Sequence, residues 1–220
     1  MSNPIAFHPD GAIFDMDGLM LDTERPYLPL WSLVAKTFGW DISPGTVQRA
    51  IGISGPDVRA LFLQEYGADF PYDAITAKLD ELIEQKFEAG VPHRPGLLVL
   101  LDHLARLGIP LAVATSTRRK KALWKLEKAG ILDRFQVLAT GDEVANGKPA
   151  PDIFLLAAER LKKDPVRCIG FEDSPAGLAG LATAGIRSIF VEDMVKPPQA
   201  VLATVWHTCK DLSEAVHLIV

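Results

Sequence analysis

Cysteine is almost missing from this chain. Two residues, Cys168 and Cys209, are all that 220 positions hold, which excludes a disulfide framework as the source of stability. That scarcity fits a reducing compartment, and a cytoplasmic location is the expectation. No apolar run approaches the ~20 residues of a membrane span, so no contact with a bilayer interior is expected. The first ten residues lack a charged stretch followed by an apolar one, so no signal peptide is read there. A surplus of basic charge is missing too: 23 basic residues face 28 acidic ones, a net charge of −5. That balance offers no footprint for nucleic acid or for an anionic membrane surface. Internal repeats and low-complexity tracts are also lacking.

What remains is ordinary for a soluble globular protein, with 48% hydrophobic and 23% charged residues. The length suits one full domain plus a small insert. Cys168 lies inside the apolar run Cys168-Ile169-Gly170-Phe171 and reads as a small core residue rather than a reactive thiol.

Five short runs have near-continuous apolarity: Ala12-Ile13-Phe14, Leu111-Ala112-Val113-Ala114, Val137-Leu138-Ala139, Cys168-Ile169-Gly170-Phe171 and Ser188-Ile189-Phe190-Val191. Without polar alternation they predict strands buried on both faces, as in a parallel sheet. Helical stripes fall between them. Leu97, Leu100, Leu101, Leu104 and Leu107 form one, which stops at Gly108. Others run through Ala122, Leu126 and Ala129, through Phe154, Ala157, Ala158 and Leu161, and through Leu178, Leu181 and Ala184. This alternation predicts an α/β fold, a doubly wound parallel-sheet core.

Residues 21–90 break the rhythm. They carry helical stripes alone: Tyr27 to Phe38, Val58 to Tyr66 and Ile75 to Phe87, each closed by a glycine. Three or four helices without a strand predict a helical insert just after the first strand. Its connections would be residues 21–26 and the Pro/Gly-rich residues 90–96. The expected division is a core of residues 1–20 and 92–220 and a helical cap of residues 21–91.

Chemistry-bearing residues gather where strands end. In Phe14-Asp15-Met16-Asp17-Gly18, Asp15 follows the first strand directly, and open α/β sheets bind ligands at that edge. Two carboxylates at i and i+2 suit a metal-assisted nucleophile paired with an acid/base; alone, the pair fits an ordinary turn equally well. Thr115-Ser116-Thr117 ends the second strand, offering a hydroxyl and backbone N–H groups as a phosphate cradle or a plain helix cap. Lys148-Pro149-Ala150-Pro151-Asp152 follows the third strand. Its lysine could neutralise charge between a carboxylate and a phosphoryl group, or sit on the surface at a helix start. Glu172-Asp173-Ser174-Pro175 ends the fourth, as Mg²⁺ ligands or as a cap with Pro175 at its first turn. Four independent capping accidents would rarely supply a nucleophile, a hydroxyl, a lysine and metal carboxylates to one crevice, so the functional reading is favoured.

Together, Asp15-x-Asp17-Gly18-x-x-x-Asp22-Thr23-Glu24, Thr115-Ser116-Thr117, Lys148-Pro149-x-Pro151-Asp152 and Gly170-Phe171-Glu172-Asp173-Ser174 resemble the haloacid dehalogenase superfamily. The match is closest to its phosphatases with a helical cap, the β-phosphoglucomutase-like group. The resemblance implies a Rossmann-like core with an inserted, mobile α-helical cap. It implies Asp15 as nucleophile, Asp17 as acid and then base, and Thr115 and Lys148 as phosphate holders. It implies Mg²⁺ bound by Asp15, the carbonyl of Asp17, Asp173 and Glu172. Gly18, Glu24, Gly52 and Ser116 are the candidates for substrate contact.

Departures narrow the group. Haloacid dehalogenases proper lack the second aspartate, so Asp17 argues against dehalogenation. β-Phosphoglucomutases carry a hinge histidine where this chain has Tyr27 and a cap arginine where it has Gly55. The expected activity is therefore hydrolysis of a small phosphorylated metabolite, a sugar phosphate or similar phosphomonoester, through an aspartyl-phosphate. A phosphomutase is the alternative, and a non-catalytic phosphate-binding protein the third reading. A monomer is expected, with an oligomer left open. Tyr27 and Trp31 read as cap core, Arg118 and Arg119 as an exposed helix start, and His93 as a solvent-exposed side chain without a partner.

Overall fold

The computed structural model describes residues 7–51 and 55–220. Within them, six strands form one sheet: β1 Gly11–Phe14, β2 Leu111–Thr115, β3 Val137–Thr140, β4 Cys168–Glu172, β5 Arg187–Val191 and β6 His207–Cys209. Their spatial order is β3-β2-β1-β4-β5-β6, and every neighbouring pair is parallel. The chain winds outward from β1 to β3, then crosses back to β4 and winds the other way. That reversal leaves a crevice at the strand ends beside β1.

Strand side chains alternate between two cores. Ala12 and Phe14 of β1, with Leu111 and Val113 of β2, join one apolar cluster. Ile13, Ala112 and Ala114 join the other. Helix α5 (Leu97–Arg106) buries its leucine stripe in the first cluster, as does α6 (Arg119–Lys128) with Ala122 and Leu126. Helix α7 (Asp152–Leu161) fills the second with Ile153, Phe154, Ala157 and Ala158. Helix α8 (Pro175–Thr183) and the short α9 (Gln199–Leu202) follow β4 and β5. This is the doubly wound α/β core that the apolar runs predict. Cys168 and Cys209 are both buried and unpaired, as a core role for Cys168 requires.

Among the described residues, four helices occupy the interval between β1 and α5: α1 Tyr27–Thr37, α2 Pro44–Arg49, α3 Gly55–Tyr66 and α4 Tyr72–Lys86. They enclose an apolar cluster of their own around Trp31, Val34, Phe62, Phe70, Ile75 and Leu79. The Trp31 and Phe62 rings stack at 4.5 Å. Among the described residues no helix is long and apolar enough to cross a membrane.

The end of β3 is tied to the two helices beside it through one carboxylate. Glu143 accepts the Thr140 N–H at 3.0 Å, both terminal nitrogens of Arg160 at 3.1 and 3.0 Å, and Arg119 at 3.1 Å. Bonds from Arg160, joined by those from Thr140, outweigh the opposing effect of burial and hold the Glu143 carboxyl down at about 2. A folded value below the ordinary 4.5 contributes stability that is fully present above pH 4.5 and fades as pH falls toward about 2. Glu143→Gln should therefore lose about 0.5–1 kcal/mol at neutral pH, a small figure because the arginines are half exposed. Urea unfolding at pH 7 and pH 3 checks this; an equal gap at both pH values would refute the ion-pair account.

Candidate active site

A cavity of about 810 Å³ lies between the C-terminal strand ends and the helical insert. Strand-end residues Asp15, Thr115, Lys148 and Asp173 form part of its wall, and Leu28 and Trp31 of α1 face them from the insert. Register explains the convergence. Phe14 pairs with Val113 of β2 and Phe171 of β4, so the next residue of β1 leaves the sheet level with Glu172. The Asp15 N–H donates to the Phe171 carbonyl at 3.1 Å, fixing that exit.

Lys148 stands between two carboxylates. Its buried ammonium donates to Asp15 Oδ1 and, at 2.5 Å, to Glu172 Oε1. The other Glu172 oxygen accepts from the Asp173 N–H at 2.8 Å, the Ser174 N–H at 2.8 Å and the Ser174 hydroxyl at 3.0 Å. Glu172 is wholly buried, and both oxygens are spent on protein donors. Here the Glu172 carboxylate holds Lys148 in place. Ser174 caps α8, accepting from the Gly177 N–H at 3.0 Å, with Pro175 in the first turn. The cap reading of this segment and the chemical one hold together.

Asp17 is held from three sides. The Thr23 hydroxyl donates to Oδ1 and the Thr117 hydroxyl to Oδ2, each at 2.6 Å, and the Lys125 ammonium donates to Oδ1. Burial alone would push the Asp17 carboxyl up, but the Lys125 charge and these bonds outweigh it and set it below its ordinary value. Asp15 differs. Burial pushes its carboxyl up to about 8, and the charges of Glu172 and Asp17 add to this against the pull of Lys148. Burial, then the charges of Glu172 and Asp15, push Asp173 well above the carboxylate range. Glu24 also faces the cavity and rises to about 7 through burial and the charges of Asp17 and Asp193.

Other expected site residues are found nearby. Thr115 is buried, lines the cavity and accepts the Thr117 N–H at 3.1 Å; Ser116 also lines the cavity. Gly18 has φ +87°, and a Cβ there would run into Asp173 Oδ2, so only glycine lets that carboxylate lie over the turn. Gly52 lies outside the described residues. Tyr27 donates to Asp80 of α4 at 2.9 Å, and Lys121 of α6 reaches the same carboxylate at 2.6 Å. Arg118 lines the cavity, whereas Arg119 pairs with Glu143. His93 departs from the solvent-exposed side chain expected: it is half-buried, and its Nε2 donates to the Ala129 carbonyl at 2.7 Å. The residue sits where Leu21 and His93 form an antiparallel bridge between the insert's two connections, which brings the ring onto the end of α6.

Two participants lie outside the motifs. Lys125 joins Thr23 and Thr117 on Asp17, and Asp193 binds one arginine from each connection, Arg25 and, at 2.8 Å, Arg94. One signal was available for Lys125: it shares a helix face with Ala122 and Leu126, where a lysine without a carboxylate partner would be costly.

A family model described as haloacid dehalogenase-like hydrolase matches residues 9–185. A phosphorylated carbohydrates phosphatase of Thermotoga maritima is 31% identical over 181 residues, covering 82% of this chain and 84% of that protein. The protein CbbY of Rhodobacter capsulatus is 34% identical over 189 residues, covering 80% and 82%. Among solved structures, CbbY from Rhodobacter sphaeroides in complex with phosphate superposes with a TM-score of 0.81 at 27% identity, covering 96% of this chain and 99% of that one. The matched span contains every strand end that contributes to the cavity, and the chain belongs to the haloacid dehalogenase-like hydrolase family.

Proposed function

We propose that this hydrolase is a phosphatase of small phosphorylated metabolites, sugar phosphates or similar phosphomonoesters, acting through an aspartyl-phosphate on Asp15. One observation carries the reading: the Asp15 carboxylate is buried at the cavity wall, bonded by Lys148, while a second carboxylate, Asp17, is fixed nearby by hydroxyl and ammonium donors. The name of the Thermotoga relative, phosphorylated carbohydrates phosphatase, agrees with such an activity.

The chemistry divides into two displacements. First, an oxygen of Asp15 bonds to phosphorus and the ester P–O bond breaks. The departing oxygen takes a proton from Asp17, which is protonated in the reacting complex, and leaves as the alcohol. Then a water oxygen bonds to phosphorus, passes its proton to the Asp17 carboxylate, and the bond from phosphorus to Asp15 breaks. Inorganic phosphate leaves and both aspartates return to their starting forms. Thr115 and Lys148 hold the phosphoryl oxygens, and Glu172 keeps Lys148 in place. Residues 21–91 act as a cap that excludes bulk water. The ion pairs Lys121–Asp80 and Lys128–Glu88, each 2.6 Å, join that insert to α6.

The residues fit a divalent cation. Four carboxyl groups (Asp15, Asp17, Glu172 and Asp173) meet two ammonium groups (Lys125 and Lys148), which when all are ionised leaves an excess of two negative charges for a cation to offset. Asp173 Oδ1 is buried without any hydrogen-bond donor, an arrangement that is costly unless a cation faces it. Among the described residues no three His, Cys, Asp or Glu side chains converge as a metal cluster, but Mg²⁺ takes one or two carboxylates with waters and substrate phosphate. Asp15, Asp173 and the Asp17 carbonyl would hold it. Bound there, Mg²⁺ would offset repulsion between the Asp15 carboxylate and the phosphate oxygens.

The mutase alternative needs a phosphate-holding side chain in the insert. Position 55 is an exposed glycine, and Tyr27 is engaged with Asp80. The test is phosphate release from sugar phosphates, nucleoside monophosphates and phosphoglycolate. Release should stop with EDTA and return with Mg²⁺. A requirement for a bisphosphate activator with little free phosphate would favour the mutase, and silence across the panel would sink both catalytic readings.

A further inference from the structure

Lys125 is a buried cation that the family motifs leave unexplained. It lies on α6 between Ala122 and Leu126, both wholly buried, and is itself 5% exposed. Taking an ammonium out of water costs several kcal/mol unless it is paired. The ion pair that meets this cost is with Asp17. Its neighbours on the same helix reach elsewhere: Lys121 to Asp80 and Lys128 to Glu88, both in the segment between β1 and α5.

We propose that Lys125 is a positioning residue for the acid/base step, holding the Asp17 carboxyl in the orientation that meets the leaving oxygen; this rests on the reading of Asp17 as acid and base. Asp17 projects from a turn, and its side chain has two free torsions. Two hydroxyls alone would leave it loosely held, because a hydroxyl donor rotates and carries no charge. The ammonium adds a charge-assisted bond, roughly twice as strong as a neutral one. The three donors also stand on different supports. Thr23 belongs to the connection into the helical insert and Thr117 to the loop after β2. Lys125 rides on a helix anchored in the main core by Ala122 and Leu126. Unlike Thr23, it keeps its place however the insert sits, and unlike Thr117 it carries a charge. The proton transfer itself stays with Asp17; Lys125 neither gains nor loses a bond to the substrate.

Such a role has a kinetic signature. Phosphoryl transfer to Asp15 needs leaving-group protonation most when the departing oxygen is basic. The full-length Lys125→Met variant is compared with the parent on p-nitrophenyl phosphate and phenyl phosphate, which share a ring but differ in leaving-group basicity. The readout is kcat/KM, which reports steps through phosphoryl transfer. A positioned general acid contributes about 10²–10⁴-fold, so the loss on phenyl phosphate should exceed that on p-nitrophenyl phosphate by at least about tenfold. Lys125→Arg, which keeps a charged donor, should recover part of the difference. An equal loss on both substrates, or no loss on either, overturns the proposal. If Lys125→Met does not fold by circular dichroism, Lys125→Gln and Lys125→Arg carry the same comparison with the same criteria. Asp17→Asn, run alongside, separates two failures. If it shows the leaving-group dependence and the Lys125 variants do not, the positioning role alone falls. If it shows none, the acid/base reading of Asp17 falls first.

Discussion

Asp15→Asn is expected to lower kcat by at least about 10⁴-fold, the scale seen when a nucleophile is removed from an enzyme. The argument is geometric. Asp15 is the carboxylate at the β1 exit, and Lys148 bridges it to Glu172. The neighbouring Asp17 is committed on both oxygens and cannot take over without giving up those donors. Asparagine keeps the volume and can still accept a hydrogen bond from Lys148, which retains Glu172 as a partner. The change also removes one of four crowded carboxylates, so Tm should not fall. Phosphate release and thermal unfolding of the same preparation check both halves. A variant with more than a few per cent of parental kcat would remove Asp15 from the nucleophile role. Lost activity accompanied by a collapsed Tm would leave the loss attributable to unfolding.

Gly177→Ala should be the most damaging single-methyl change near the site. Helix propensity alone would favour alanine by about 1 kcal/mol. The surroundings reverse that sign. A Cβ at Gly177 would overlap the Glu172 carboxyl group. Glu172 cannot swing aside, because Lys148, two backbone N–H groups and the Ser174 hydroxyl all bind it. Either α8 shifts, breaking the Ser174 cap, or Glu172 gives up donors while buried. Overpacking costs about 1–3 kcal/mol and a broken buried ion pair about 3–5 kcal/mol. A net loss of about 3 kcal/mol would lower Tm by about 6–12 °C in a protein of this size. Activity should fall as well, since Lys148 loses its second anchor. Parental Tm and kcat in the Gly177→Ala protein would show that α8 relaxes freely and that the Glu172 cradle is not rigid.

Much of this architecture is legible in residue order. Strands β1 to β5 fall on the apolar runs because a parallel strand is buried on both faces, which leaves no polar alternation to blur the signal. Strand β6 went unread because an edge strand of His207-Thr208-Cys209 is short and polar. Helix α2 escaped too: six residues give no periodicity, although Ser43 and Pro44 form a standard start with the Ser43 side chain accepting from Thr46. Asp15, Thr115, Lys148 and Asp173 were legible because a parallel sheet sends its strand ends to one edge, so residues far apart in the chain share a crevice.

Side-chain partnership was not legible. Nothing in the residue order says that Lys125 reaches Asp17 across 108 positions. The same holds for Asp193, which gathers Arg25 and Arg94, and for His93, which turns to the end of α6. Glu172 shows the division most clearly. Its place at the end of β4 follows from the pattern of apolar residues, a local property that water imposes on every strand. Its task, holding Lys148, follows from which donors the packed helices bring within about 3 Å, because hydrogen bonds and ion pairs act only at contact and contact is set by the folded chain.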